Sequence, residues 1–244
     1  VIICGQCGTS SEGAKFCPEC GVALVVAERP VAEERKVVTA LFCDLVGFTS
    51  LSETADPEDV NTMLDAYAAM ARAQIENHGG IVQKFIGDAV VGVFGVPAAH
   101  EDDPERAVRA GLRIVEAAEG LEALGGAPLR LRVGINTGEA LVRLDVHPGS
   151  GEGFLTGDAI NTASRLQGLA PEMGVAVGVA TYEATTVVFD YQELPPATVK
   201  GKAEPVRVFQ PLAPRARFGT DLTRTHTSPF IGREIDLAVL KGIF

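Results

Sequence analysis

An α+β fold of the ferredoxin-like kind, in the order strand, helix, two strands, helix, strand, is predicted by three features of this 244-residue sequence. The run Val37–Cys43 is apolar and β-branched enough for a buried strand, and it ends on Asp44. Two short β-branched and aromatic runs, Ile81–Ile86 and Ala89–Phe94, flank Gly87-Asp88, the residue types a tight hairpin turn accepts. Two stripes of helical spacing start at acid and proline signals, Asp56-Pro57-Glu58-Asp59 and Asp102-Asp103-Pro104-Glu105.

In chain order, the first feature is Cys4-Gly5-Gln6-Cys7, followed after nine residues by Cys17-Pro18-Glu19-Cys20. Two such knuckles aim four thiolates at one tetrahedral ion, and residues 1–26 look like a zinc ribbon holding structural Zn²⁺. A redox dithiol needs only one pair, and disulfides are disfavoured inside cells, so both fit less well. Cys43, within the strand, reads as a small buried hydrophobe. Residues 27–34, charged and containing Pro30, read as a linker.

The first helix carries Val60, Met63, Leu64, Tyr67, Ala71 and Ile75 as one core stripe, closed by Gly79-Gly80. The second has Val108, Ile114, Val115, Ala118 and Leu121 on or near its buried face and is expected to stop at Gly125-Gly126. Leu129–Ile135 alternates apolar and basic residues as a half-buried strand, Asn136-Thr137-Gly138 reads as a turn, and Ala140–Val146 can return antiparallel. A Gly-rich loop, 147–153, precedes a helix in which Asn161 and Arg165, four apart, face the same way. If the strand ending at Asp44 neighbours the hairpin, Asp44 and Asp88 form an all-oxygen site suited to Mg²⁺ or Mn²⁺ and phosphates.

Composition narrows the function classes. With 46% hydrophobic residues the chain is globular, and a net charge of -11 argues against polyanion partners such as nucleic acid. No apolar run reaches the roughly 18 residues of a membrane span, and no leader pattern opens the sequence, so a cytoplasmic location is expected. The four histidines are scattered and lack metal-ligand spacing.

Phe42-Cys43-Asp44-Leu45-Val46-Gly47-Phe48-Thr49, the Lys84–Asp88 hairpin, Gly157–Arg165 and Val199-Lys200-Gly201-Lys202 stand in the order and rough spacing of one family. Over residues 35–211 the chain resembles the class III nucleotidyl cyclase catalytic domain. The resemblance implies a homodimer with active sites at its interface, ATP as substrate and cyclic AMP as product. It implies Asp44 and Asp88 as ligands of two Mg²⁺ or Mn²⁺ ions, phosphate contacts from the backbone around Val46–Thr49, including Phe48 and Thr49, and a terminal-phosphate contact from Lys202, with Lys200 as its neighbour. Asn161 matches the ribose-orienting asparagine and Arg165 the arginine that stabilises charge on the α-phosphate. Lys84 takes the base-selecting position, where a lysine donates to adenine and guanylyl cyclases typically carry glutamate.

Two positions depart from the family. Phe154, three residues before Gly157, replaces an Asp or Thr that accepts from adenine's amine, and Glu139 lies near where some relatives carry a basic phosphate contact. Phe154 keeps open relaxed or guanine base choice, or a catalytically silent nucleotide-binding and dimerisation module. After a linker, 212–228, the segment 229–244 with Pro229-Phe230-Ile231-Gly232-Arg233-Glu234 resembles the opening of AAA- or STAND-type ATPases, so a longer chain with a downstream ATPase region is expected.

Overall fold

The computed structural model describes residues 2–4, 6–11, 15–22, 33–53, 55–124, 126–143, 155–197 and 205–215. Near the N-terminus, β1 (Ile2–Ile3) and β2 (Ser10–Ser11) form a two-stranded antiparallel ladder beside the cysteines. The main chain of elements follows: β3 (Glu33–Leu45), α1 (Phe48–Ser52), α2 (Pro57–Asn77), β4 (Ile81–Ile86), β5 (Ala89–Phe94) and α3 (Asp103–Ala118). Then come β6 (Leu131–Arg143), β7 (Leu155–Thr156), α4 (Asp158–Gln167), β8 (Gly174–Val177), α5 (Val179–Thr185), β9 (Phe189–Ala197) and β10 (Val206–Pro214).

One sheet, in the order β4-β5-β3-β6-β8-β10-β9 with the short β7 on β6, carries the fold. β3 begins at Glu33, inside the stretch read as a linker, and pairs antiparallel with β5 on one side and β6 on the other. The β6–β8 pair is parallel. Alternation along β3 divides the core: Leu41, Cys43 and Leu45 pack with Tyr67 and Ile75 of α2 and Ile114 of α3, while Val38, Ala40 and Phe42 pack with Ile160 and Ala163 of α4.

α2 begins as its signal requires, with the Asp56 carboxylate accepting from the Glu58 N–H at 2.9 Å. Val60, Met63, Tyr67, Ala71 and Ile75 are its buried stripe, with Leu64 half-buried at the edge. α3 ends at Ala118, ahead of the expected stop, because the chain turns at Glu119-Gly120 into a loop closed by the Glu122–Pro128 bridge.

The expected turn at Asn136-Thr137-Gly138 is instead the middle of β6, which runs unbroken from Leu131 to Arg143 against β3. Turn-forming residues are tolerated there because partners occupy their polar groups. Asn136 donates to the Ala159 carbonyl of α4 at 3.3 Å, and the Thr137 hydroxyl lies 2.9 Å from those of both Thr39 and Thr181. Gly134 has another role: a Cβ there would collide with the Gln167 N and the Ala163 O, so its bare backbone lets α4 lie directly on the sheet.

Candidate active site

Asp44 is the penultimate residue of β3 and Asp88 sits in the β4–β5 turn, both half-buried. The antiparallel β3–β5 ladder ends at the pair Cys43–Val90, so the carboxylates meet just beyond it. Gly87 makes the turn possible with φ of 61°, a left-handed value that an L side chain rarely adopts. Burial, the hydrogen bond shared with Asp88 and the Asp88 charge push the Asp44 carboxyl up to about 6. Two carboxylates held at one place and repelling each other form a hard-oxygen site that a divalent cation relieves.

Beneath them lies a dry layer. Burial pushes the Cys43 thiol up to about 12, and it holds the Tyr67 hydroxyl well above its ordinary range, with further upward pushes from Cys43 and both aspartates. Cys43 is the small buried hydrophobe that its strand position suggested.

After Asp44, the Val46 N–H donates to the Arg130 carbonyl at 2.9 Å, so it is committed to the fold and does not serve a phosphate. Gly47, with φ of 74°, turns the chain into α1, whose first intrahelical bond is Leu51 N–H to the Gly47 carbonyl. The N–H groups of Phe48, Thr49 and Ser50 precede that bond and belong to the open end of the helix. Phe48 is half-buried and Thr49 exposed.

Lys84 lies half-buried on β4, paired with Val91 of β5. Asn161 and Arg165 share the outer side of α4, exposed and half-buried respectively, and α4 packs on the sheet face toward which the pleat of β3 directs Asp44. Among the described residues neither makes a hydrogen bond or ion pair with Asp44 or Asp88. Lys200, Lys202, Phe154 and the 229–244 segment lie outside the described residues.

Arg132 is, in the sequence, only one of the basic residues of an alternating strand. It stands directly opposite Asp44 in the β3–β6 register. Its Nη2 is 3.6 Å from Glu172, while its Nε is shielded without a hydrogen-bond partner among the described residues. Only the register exposes this proximity; nothing in the local sequence does.

At the N-terminus the sulfurs of Cys4, Cys7, Cys17 and Cys20 lie within 4.8 Å of one another. The Cys4–Cys20 and Cys7–Cys17 separations are 3.6 and 3.4 Å. A tetrahedral zinc with Zn–S bonds of about 2.3 Å has sulfur–sulfur edges of about 3.8 Å, so the cluster needs little adjustment to hold one. Hydrogen bonding with Thr9 is the main cause drawing the Cys7 thiol down to about 6, while burial and the neighbouring thiols push Cys20 up to about 12.

Paired aspartates at a strand end and in the neighbouring hairpin turn are the kind of hard-oxygen donors that a divalent cation takes. The model of the adenylate and guanylate cyclase catalytic domain matches residues 31–210, and the chain belongs to that family, the class III nucleotidyl cyclases. Adenylate cyclase 1 of Rhizobium meliloti is 31% identical over 72% of this chain and 27% of its own length. The adenylyl cyclase CyaB of P. aeruginosa superposes with a TM-score of 0.66 at 28% identity, covering 75% of this chain and 96% of that one. The guanylate cyclase domain of RhGC from Catenaria anguillulae, solved in complex with GTP, superposes with a TM-score of 0.67 at 28% identity, covering 75% and 100%. Both base specificities therefore occur among the relatives. The chain spans only 8% to 27% of the length of the first three curated relatives it matches. Among the described residues, no helix is long and apolar enough to cross a membrane.

Proposed function

We propose that this chain converts ATP to 3′,5′-cyclic AMP and pyrophosphate, with each active site completed by a second copy of the chain. The observation that carries the reading is the pairing of Asp44 and Asp88, two hard-oxygen donors held together at the cost of mutual repulsion. They would hold two Mg²⁺ or Mn²⁺ ions, which when bound acidify the ribose 3′-hydroxyl and neutralise triphosphate charge. In the reaction the 3′-oxygen forms a bond to the α-phosphorus, the bond to the β-phosphate oxygen breaks, and pyrophosphate leaves. The protein's task is positioning and charge stabilisation.

The open N–H groups at Phe48 and Thr49 receive phosphate oxygens. Arg132, opposite Asp44 in the β3–β6 register, adds a planar guanidinium suited to a phosphate. Asn161 orients the ribose, and Arg165 meets the charge that grows on the α-phosphate. Lys202 holds the terminal phosphates. Lys84 donates to an adenine ring nitrogen and offers guanine no matched acceptor, which favours ATP over GTP. Asn161 and Arg165 stand without contact to the aspartates of their own chain, which fits a site shared between two copies in a homodimer.

The four-cysteine cluster holds one structural Zn²⁺ in a ribbon over residues 1–26, and residues 35–211 form the cyclase domain. Residues 229–244 are the start of an ATPase-like region. Replacing Asp44 or Asp88 by Ala is expected to abolish Mn²⁺-dependent cyclic AMP formation by the purified chain. Full activity in either variant would overturn the reading.

A further inference from the structure

The edge strand β4 carries an irregularity whose consequence is chemical. Its register with β5 runs Val82–Gly92 and then Lys84–Val91, so Gln83 is an extra residue with no opposite number. The faces agree with such a bulge. Val82 packs in the core under α2 and α3, and Phe85, three residues on, lies under Arg72 of α2, with the guanidinium carbon 5.1 Å from the ring centre. Strict alternation would place Val82 and Phe85 on opposite faces. The bulge restores both to the α2 side and turns Gln83 and Lys84 together to the side of α4 and β7.

Gln83 is only 1% exposed, an unusual fate for a glutamine. Its Nε2 donates to the carbonyl of Leu155 at 3.3 Å, which fixes the amide's orientation, because only the NH₂ end can face that oxygen. Its Oε1 is left buried with no partner among the described residues. An unpaired buried acceptor is costly, because it has given up its hydrogen bonds to water and gained none in return. A polar atom kept at that cost, next to the lysine assigned to the base, needs a donor from elsewhere.

We propose that Gln83 is a second base-reading residue, whose Oε1 accepts a hydrogen bond from the exocyclic amine of adenine. This deepens the cyclase reading given above and rests on it. Because Leu155 holds the NH₂ end, the amide cannot turn over to serve guanine, whose corresponding substituent is a carbonyl oxygen. The selectivity for an amine is thereby built into the fold at β4 and β7, and it answers the lack of an acceptor in the side chain of Phe154. A dry, fixed acceptor discriminates more strongly than a solvated one, since a nucleotide without the donor leaves it unpaired.

The test compares ATP with purine riboside triphosphate, the same nucleotide without the 6-amino group, as substrates of the purified chain with Mn²⁺. In the unaltered protein kcat/KM is expected to favour ATP by about tenfold or more, mainly through KM. In Gln83→Met, which keeps the side chain's length and offers no amide oxygen, the preference falls to within about twofold. A preference that survives in Gln83→Met, or a fall in kcat shared equally by both nucleotides, overturns the proposal. A ratio below about twofold in the unaltered protein does so without any variant. If no nucleotide gives a cyclic product, the cyclase reading fails on its own account. The same two nucleotides are then compared as competitors of a fluorescent ATP analogue, where equal affinities overturn the role of Gln83 and a tenfold preference supports it.

Discussion

Replacing Asp44 by Asn is expected to make the fold more stable while it removes activity. The Asp44 carboxyl is pushed from an ordinary 3.8 up to about 6, first by burial and then by Asp88. Because its value in the folded chain lies above its unfolded one, the fold binds more protons between about pH 4 and pH 6, and stability falls as pH rises through that window. A shift of about 2 units corresponds to about 3 kcal/mol in full, and solvent screening of this half-buried group reduces it to about 1 kcal/mol. For a domain in the 150–250-residue range, that is about 2–4 °C in Tm. The assay is thermal unfolding without Mg²⁺ or Mn²⁺ at pH 7.5 and at pH 4. Asp44→Asn is expected to melt higher at pH 7.5, with the gain vanishing at pH 4. Adding Mn²⁺ should stabilise the unaltered chain and not the variant, narrowing or reversing the order. A variant that melts lower at pH 7.5, or whose gain is the same at both pH values, would refute the claim that Asp44 is held against the repulsion of Asp88.

Other consequences are as direct. Gly134→Ala forces a methyl group against the Gln167 N and the Ala163 O of α4, so a loss of about 3 kcal/mol or more is expected by denaturant unfolding, together with loss of cyclase activity. A Cys4→Ser variant should lower bound zinc from one ion per chain to well below one by elemental analysis, while the main unfolding transition moves by no more than about 1 °C, since none of the described core residues of the large sheet touches the cluster. Lys84→Glu should lower kcat/KM for ATP by about tenfold or more and bring GTP nearer to parity, as product analysis with both nucleotides would register.

Much of the fold was legible because its elements are locally consistent. The Asp56-Pro57 start of α2, its stripe from Val60 to Ile75 and the Gly87-Asp88 hairpin each follow from short-range chemistry, and the structure places them accordingly. What escaped the sequence depends on partners far away in the chain. Asn136-Thr137-Gly138 has the composition of a turn, yet hydrogen bonds to Thr39, Ala159 and Thr181 keep it in a strand. The paired aspartates were readable because each closes a recognisable strand. The nearness of Arg132 to Asp44 and the buried amide of Gln83 were not, since the first is a matter of register and the second of a single-residue bulge. The Val46 N–H, expected at a phosphate, is taken by Arg130 through a contact between residues 84 positions apart.

The central claim is that two copies of this chain assemble a site that cyclises ATP. The most direct measurement is the initial rate of cyclic nucleotide formation with Mn²⁺, from ATP and GTP separately, across a hundredfold range of protein concentration. Cyclic AMP in clear excess over cyclic GMP, with a specific activity that rises with concentration until it levels off, is the expected result. Cyclic GMP as the main product, or a specific activity unchanged down to concentrations where the chain sediments as a monomer, would contradict it.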